Sequence, residues 1–166
     1  MSENYIVING KKAELTEEQM KQLGINVKEK KETLFIRHSD ESYWYINAMN
    51  SVTSHHDYND DFDNVVYDNV NYFNDYKFAR QVALHQLLYR KLLKYAYEND
   101  AVNDWSNLNS EKYFITKNIS NDRVFVTFNN TLKHSGVVYF NNDEVAKQAI
   151  EDVILPFMVK HPEFVW

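Results

Sequence analysis

Apolar and polar positions in the first 25 residues fall in the order of a hairpin followed by a helix. Tyr5-Ile6-Val7-Ile8 is a short apolar run, Asn9-Gly10 is a two-residue hairpin signal, and Lys11 to Leu15 predicts the returning strand. Thr16-Glu17-Glu18-Gln19 reads as a capping box, in which the Thr16 hydroxyl and the Gln19 amide each satisfy the other's backbone N–H. The helix it opens is expected to run about two turns and stop at Gly24, which tolerates the left-handed conformation of a C-terminal cap. Residues 26–33 are mostly charged and carry little apolar surface, which predicts a charged linker, with the main body spanning residues 34–166.

Two longer helical periods follow. From Asp75 to about Glu98, Phe78, Val82, Tyr89, Leu92, Leu93 and Ala96 recur at helical spacing on one face, with Arg80, Arg90, Lys91 and Lys94 on the other. Asn74 is the expected N-cap, and Asp75 suits the positive end of the helix dipole. From Asn142 to about Lys160, Ala146, Ala149, Ile150, Val153 and Phe157 form a second stripe, with Asn141 as the expected cap and a kink or end at Pro156. Between these helices, Lys112 to Lys117 and Arg123 to Phe128 alternate as strands across a polar turn.

The chain also resembles itself. Tyr72-Phe73-Asn74 recurs sixty-seven residues on as Tyr139-Phe140-Asn141, and Phe78-Ala79-Arg80-Gln81 is echoed by Val145-Ala146-Lys147-Gln148. Trp44-Tyr45-Ile46 is echoed by Tyr113-Phe114-Ile115 with one small indel. The expected fold is α+β: two related strand-strand-strand-helix units, about 43–98 and 112–161, with antiparallel sheet backed by two long helices. The N-terminal hairpin and short helix, residues 1–25, precede them.

Composition narrows the chemistry. There is no cysteine, which removes disulfides, thiolate metal sites and a thiol nucleophile and fits a reducing compartment. No apolar run approaches the ~20 residues of a membrane span, and Met1-Ser2-Glu3-Asn4 lacks the opening of a secretion signal, so a cytoplasmic protein is expected. The net charge of −6 disfavours non-specific nucleic-acid binding and permits contact with a basic protein surface, although for a charge this modest the first reading is solubility. Only Gly10, Gly24 and Gly136 are glycines, and none belongs to a phosphate-cradling loop. No His-Glu-x-x-His or Gly-x-Ser-x-Gly occurs either, so no catalytic, cofactor or metal residue is assigned.

The densest polar run is His55-His56-Asp57-Tyr58-Asn59-Asp60-Asp61-Phe62-Asp63-Asn64. Asp57, Asn59, Asp61, Asp63 and Asp68 fit a calcium-loop spacing, but Phe62 stands where the loop demands glycine and Asp68 where a longer Glu is usual. His56-Asp57 is a pair of the kind metal phosphohydrolases use, yet no second such pair accompanies it. The expectation is a solvated loop. Its recognition reading is that Asp57, Tyr58, Asp60, Asp61, Phe62 and Asp63 present carboxylates and rings to the basic groove of a partner. His85 is expected to be a hydrogen-bonded core residue, and His38, His134 and His161 form no constellation.

Several segments together are similar to a widespread family of small phage and prophage proteins of Gram-positive bacteria. They are Ile6 to Gln19, Tyr43 to Ile46, Asn71-Tyr72-Phe73, Ala83-Leu84-His85, Asp104-Trp105, Lys112 to Ile115, Val138-Tyr139-Phe140 and Pro156 to Trp166. The resemblance carries no catalytic motif. It implies an accessory protein in the host cytoplasm, and some small phage proteins of this kind inhibit a host defence protein, as anti-CRISPR proteins do. The leading expectation is therefore a non-enzymatic inhibitor that blocks the nucleic-acid channel of a host defence protein such as a CRISPR effector nuclease. The alternative is nucleic-acid binding through Arg80, Arg90, Lys91 and Lys94. A metal protein or enzyme built on His55, His56 and Asp57, and a homodimer of structural role, stand behind these.

Overall fold

The computed structural model describes residues 5–8, 11–23 and 34–166. Strand β1 (Tyr5–Ile8) pairs antiparallel with β2 (Lys11–Glu14), and the short helix α1 (Glu17–Gln22) follows. The expected capping box forms: Thr16 N–H donates to Gln19 Oε1 at 2.9 Å, and Gln19 N–H donates to Thr16 Oγ1 at 3.3 Å. The Asn9-Gly10 turn, the Gly24 stop and the linker at 26–33 lie outside the described residues.

The rest is mixed α and β with small antiparallel sheets. β3 (Ser42–Ile46) pairs with β4 (Val52–His56), and a lone extended residue, Phe73, bridges the far side of β3 at Trp44. Between them lies helix α2 (Asp61–Asp68), where the sequence predicts only a loop. Helix α3 (Tyr76–Glu98) leads to a sheet of order β6-β5-β7, with β5 at Lys112–Asn118, β6 at Arg123–Asn129 and β7 at Tyr139–Phe140. The chain closes with α4 (Asp143–Ala149), a π-helical turn (Ile150–Ile154) and α5 (Leu155–Lys160). Among the described residues no helix is long and apolar enough to cross a membrane.

Both predicted caps move by one residue. Asp75, not Asn74, caps α3 by accepting from Phe78 N–H at 2.6 Å; Asn142, not Asn141, caps α4 by accepting from Glu144 and Val145 N–H at 2.8 and 3.2 Å. The asparagines are used across space instead. The Asn74 amide brackets Ile36, accepting from its N–H and donating to its carbonyl, both at 2.9 Å. Asn141 Nδ2 reaches the carbonyls of Asp100 and Val102. Their own N–H groups donate to Leu34 and to Ala101, sixty-seven residues apart like the asparagines themselves. The Trp44–Phe73 bridge likewise has its counterpart in the pairing of Tyr113 with Phe140.

Pro156 ends nothing. It sits in the first turn of α5, where its missing N–H is least felt, and the preceding turn widens so that Leu155 N–H bonds to Ile150. The helix therefore bends its hydrogen-bond ladder around the proline and continues to Lys160.

The buried stripe of α3 is Ala79, Ala83, Leu84, Leu88, Leu92 and Ala96, whereas Tyr89 and Leu93 of the predicted face are exposed. The helix changes partners along its length, touching β3 and β4 as well as α4 and the π turn, so its covered side is not a single apolar arc. The main core joins Leu84, Leu88 and Leu92 to Val138 and Phe140 and to Ala146, Ala149, Ile154 and Phe157. Burying each such leucine side chain is worth roughly 2 kcal/mol. Ala146 is wholly buried there, so Ala146→Leu is expected to destabilise the fold by about 1–3 kcal/mol, read as a lower urea midpoint with unchanged m-value.

Candidate functional site

Alternation along β4 decides what its end can do. Successive strand side chains point to opposite faces, so His55 and His56 part company. His55 Nε2 lies 3.6 Å from Asp63 Oδ1, and His56 Nε2 lies 3.7 Å from the exposed Asp40. Asp57 turns to a third partner, Arg37. The third-ranked reading, a metal or catalytic grouping of His55, His56 and Asp57, is not supported by this placement. Among the described residues no cluster of three or more His, Cys, Asp or Glu is placed to hold a metal ion.

Asp57 is buried, and both its oxygens are used. Arg37 Nε and Nη2 donate to Oδ2 and Oδ1 at 2.7 and 2.9 Å, and Asn59 N–H donates to Oδ1 at 2.8 Å. The planar guanidinium matches the carboxylate as a fork and continues through Nη1 to Asn64 Oδ1 at 2.7 Å. These bonds, those from Arg37 first, hold the Asp57 carboxyl down at about 2 against the opposing effect of burial.

Asp63 is buried beside it, with no side-chain surface exposed. Its Oδ1 accepts from the Tyr43 hydroxyl at 2.8 Å, and its Oδ2 accepts from the N–H of Tyr58 and of Asp60 at 2.8 and 3.2 Å. In return Asp60 accepts from Asp63 N–H at 3.0 Å, which completes a capping box at the start of α2. Burial, then the bond to Asp63, pushes the Tyr43 hydroxyl far above its ordinary range. The Tyr43 ring stacks on Tyr72 with centroids 4.0 Å apart, and burial raises the Tyr72 hydroxyl as well.

The expected solvated loop is therefore corrected. Of the six residues assigned to recognition, Asp57 and Asp63 are interior and cannot present charge. Tyr58, Asp60, Asp61 and Phe62 are exposed; α2 also exposes Val65 and Asp68 at helical spacing from them, whereas Tyr67 lies on another side, against Tyr72 and Arg37. The calcium template fails for the same reason: two of its positions are committed inside, and helix begins at the third. Sequence reading missed Arg37, Asn64 and the Tyr43–Tyr72 stack. The one available signal was a lone arginine in the short segment before β3.

The basic face of α3 is partly engaged within the chain, with Arg90, Lys91 and Lys94 still exposed. Arg80 donates to Glu163 Oε1 through Nε and Nη2 at 3.1 and 2.8 Å, and Arg90 donates to Asn50 Oδ1. Lys94 lies 3.3 Å from Glu98. His161, assigned to no constellation, sits 3.5 Å from Arg80 Nη2, and burial followed by that charge lowers its pKa. His85 is exposed, not a core hydrogen-bonding residue, with its ring 4.8 Å from Phe164. No protein-family model matches the chain, and no curated protein or solved structure is significantly similar to it.

Two outcomes follow from the buried carboxylates. Asp63→Ala strands the Tyr43 hydroxyl and two N–H groups, and is expected to cost about 3 kcal/mol in urea unfolding. The folded Asp57 binds its proton less tightly than an unfolded aspartate, so its contribution is complete above about pH 4 and drains away as pH falls toward 2. Stability measured against pH is expected to decline across that window, and the decline is expected to shrink in Arg37→Met.

Proposed function

We propose that the protein acts by binding another protein and not by catalysis, with the outer surface of α2 and the preceding turn as its contact. Tyr58, Asp60, Asp61 and Phe62, extended by Val65 and Asp68, offer rings and carboxylates without an intervening cation. Such a surface complements a basic groove. In keeping with the phage-protein resemblance, the partner is a host defence protein in the bacterial cytoplasm, and the groove is a nucleic-acid channel like that of a CRISPR effector nuclease.

The observation that carries this reading is how α2 is held. Asp57 and Asp63 anchor it from inside through Arg37 and Tyr43, so the exposed residues stand on a braced scaffold and bind at low entropic cost. The proposed duplication adds to it. If 43–98 and 112–161 are two copies of one unit, α2 occupies the place where the second copy has only the connection from β6 to β7. The acidic helix is then a specialisation of the first copy. Engagement of Arg80, Arg90 and Lys94 within the chain weighs against the nucleic-acid alternative.

The test is capture of host defence nucleases on the immobilised protein, followed by titration of the captured partner. A triple variant, Asp61→Lys with Phe62→Ala and Asp68→Lys, is expected to weaken the complex roughly tenfold or more. Its melting temperature is also expected to fall, because Asp61 lies in the first turn of α2 and Phe62 packs on Tyr45 and His55, so affinity is compared where both chains are folded. Failure to form a complex with any such nuclease, or full affinity in the folded triple variant, would remove the proposal.

A further inference from the structure

A different surface points to association of the chain with itself. Among the described residues β6 is the outer strand of its sheet, with β5 on one side and no strand on the other. It runs seven residues in unbroken register with β5, so no bulge twists its free edge away. The usual protections of an exposed edge are also missing. Arg123-Val124-Phe125-Val126-Thr127-Phe128-Asn129 contains no proline and no charge except at its first residue. Phe128 is half exposed. A groove of about 520 Å³ is lined by Val124, Phe125 and Val126 of β6 together with Lys147 and Ile150.

We propose that β6 pairs antiparallel with β6 of a second copy about a two-fold axis through Val126, joining the two three-stranded sheets into one. The occupant is inferred from the strand's complementarity to itself. In this register Arg123 faces Asn129 of the second copy, Val124 faces Phe128, Phe125 faces Thr127, and Val126 faces its own mate. No like charges meet: Arg123 faces the neutral Asn129, whose Oδ1 accepts from Leu132 N–H at 2.9 Å within its own chain. Apolar cross-strand pairs fill the centre. Because α4 rests on both β5 and β6, the two α4 helices come together over the join, and the charge of Lys147 there is already countered by Asp143 at 2.5 Å. By contrast the free side of β4 is shorter and carries Ser54, His55 and His56.

The absence of native cysteine makes the register directly testable. Facing residues of antiparallel strands have Cα atoms about 4.5–5.5 Å apart, within disulfide reach. Val126→Cys is therefore expected to give a covalent dimer under mild oxidation. In Phe128→Cys the two sulfur-bearing positions lie about 13 Å apart along the strands, and no link is expected. Sedimentation of the unmodified chain is expected to show a monomer–dimer equilibrium with a dissociation constant on the order of 10 µM, as suits a small interface. Phe128→Lys is expected to weaken it roughly tenfold. Because the ring also packs against Tyr113, the variant's fold is checked by its melting curve at concentrations below the dissociation constant, where only a small decrease is expected. A chain that stays monomeric up to about 500 µM would overturn the proposal. So would a dimer that Val126→Cys does not capture, or one captured equally by Phe128→Cys; either places the contact on another surface or in another register.

Discussion

Asp57 and Asp63 are out of water in a protein of modest size, and the strand–helix unit around them is arranged to satisfy their oxygens. A carboxylate moved from water into an apolar setting costs several kcal/mol unless it is paired and hydrogen-bonded. Here each is met fully. Asp57 takes both prongs of Arg37 and a backbone N–H, while Asp63 takes a tyrosine hydroxyl and two backbone N–H groups. These bonds link the segment before β3, the strand β3 itself, the end of β4 and the start of α2. Removing any one partner leaves a buried charge or donor stranded, which is why the unit holds one geometry.

That arrangement separates two kinds of acidic residue that look alike in the sequence. The interior pair positions α2, and the exterior set, Asp60, Asp61 and Asp68, stays in solvent beside Tyr58 and Phe62. Asp60 belongs to both, since its side chain caps the helix while its surface remains accessible. Negative charge in the first turn also suits the positive end of the helix dipole. The same residues thus stabilise the helix and give its outside an acidic, aromatic character suited to a basic partner.

The second half of the chain also buries one charge, Lys112, whose Nζ donates to the Asn107 and Ser110 carbonyls, but most of its packing is apolar. Its core is aliphatic and aromatic, with α3, β7 and the α4–π–α5 run packed around Phe140, Ile154 and Phe157. The C-terminal segment is tied back to α3 by Arg80–Glu163 and by Gln81, which donates to the Glu163 carbonyl at 2.7 Å and accepts from Val165 N–H at 2.9 Å. Phe164 is seated in the core beside Phe157. Among the described residues no strand lies on the outer side of β6, in contrast to the braced and solvated surface of the first half.

Local chemistry was legible from the chain alone. Adjacent or nearby residues suffice for the Thr16–Gln19 capping box, the long helix ending at Glu98 and the β5–β6 hairpin, because capping and helical periodicity act within a few positions. The caps slipped by one residue where Asn74 and Asn141, good caps by type, found partners across space instead. What only tertiary structure decided is which carboxylates are inside. Arg37 is twenty positions from Asp57, and Tyr43 is twenty from Asp63. No spacing rule connects them, and an aspartate reads the same in sequence whether water or a guanidinium satisfies it.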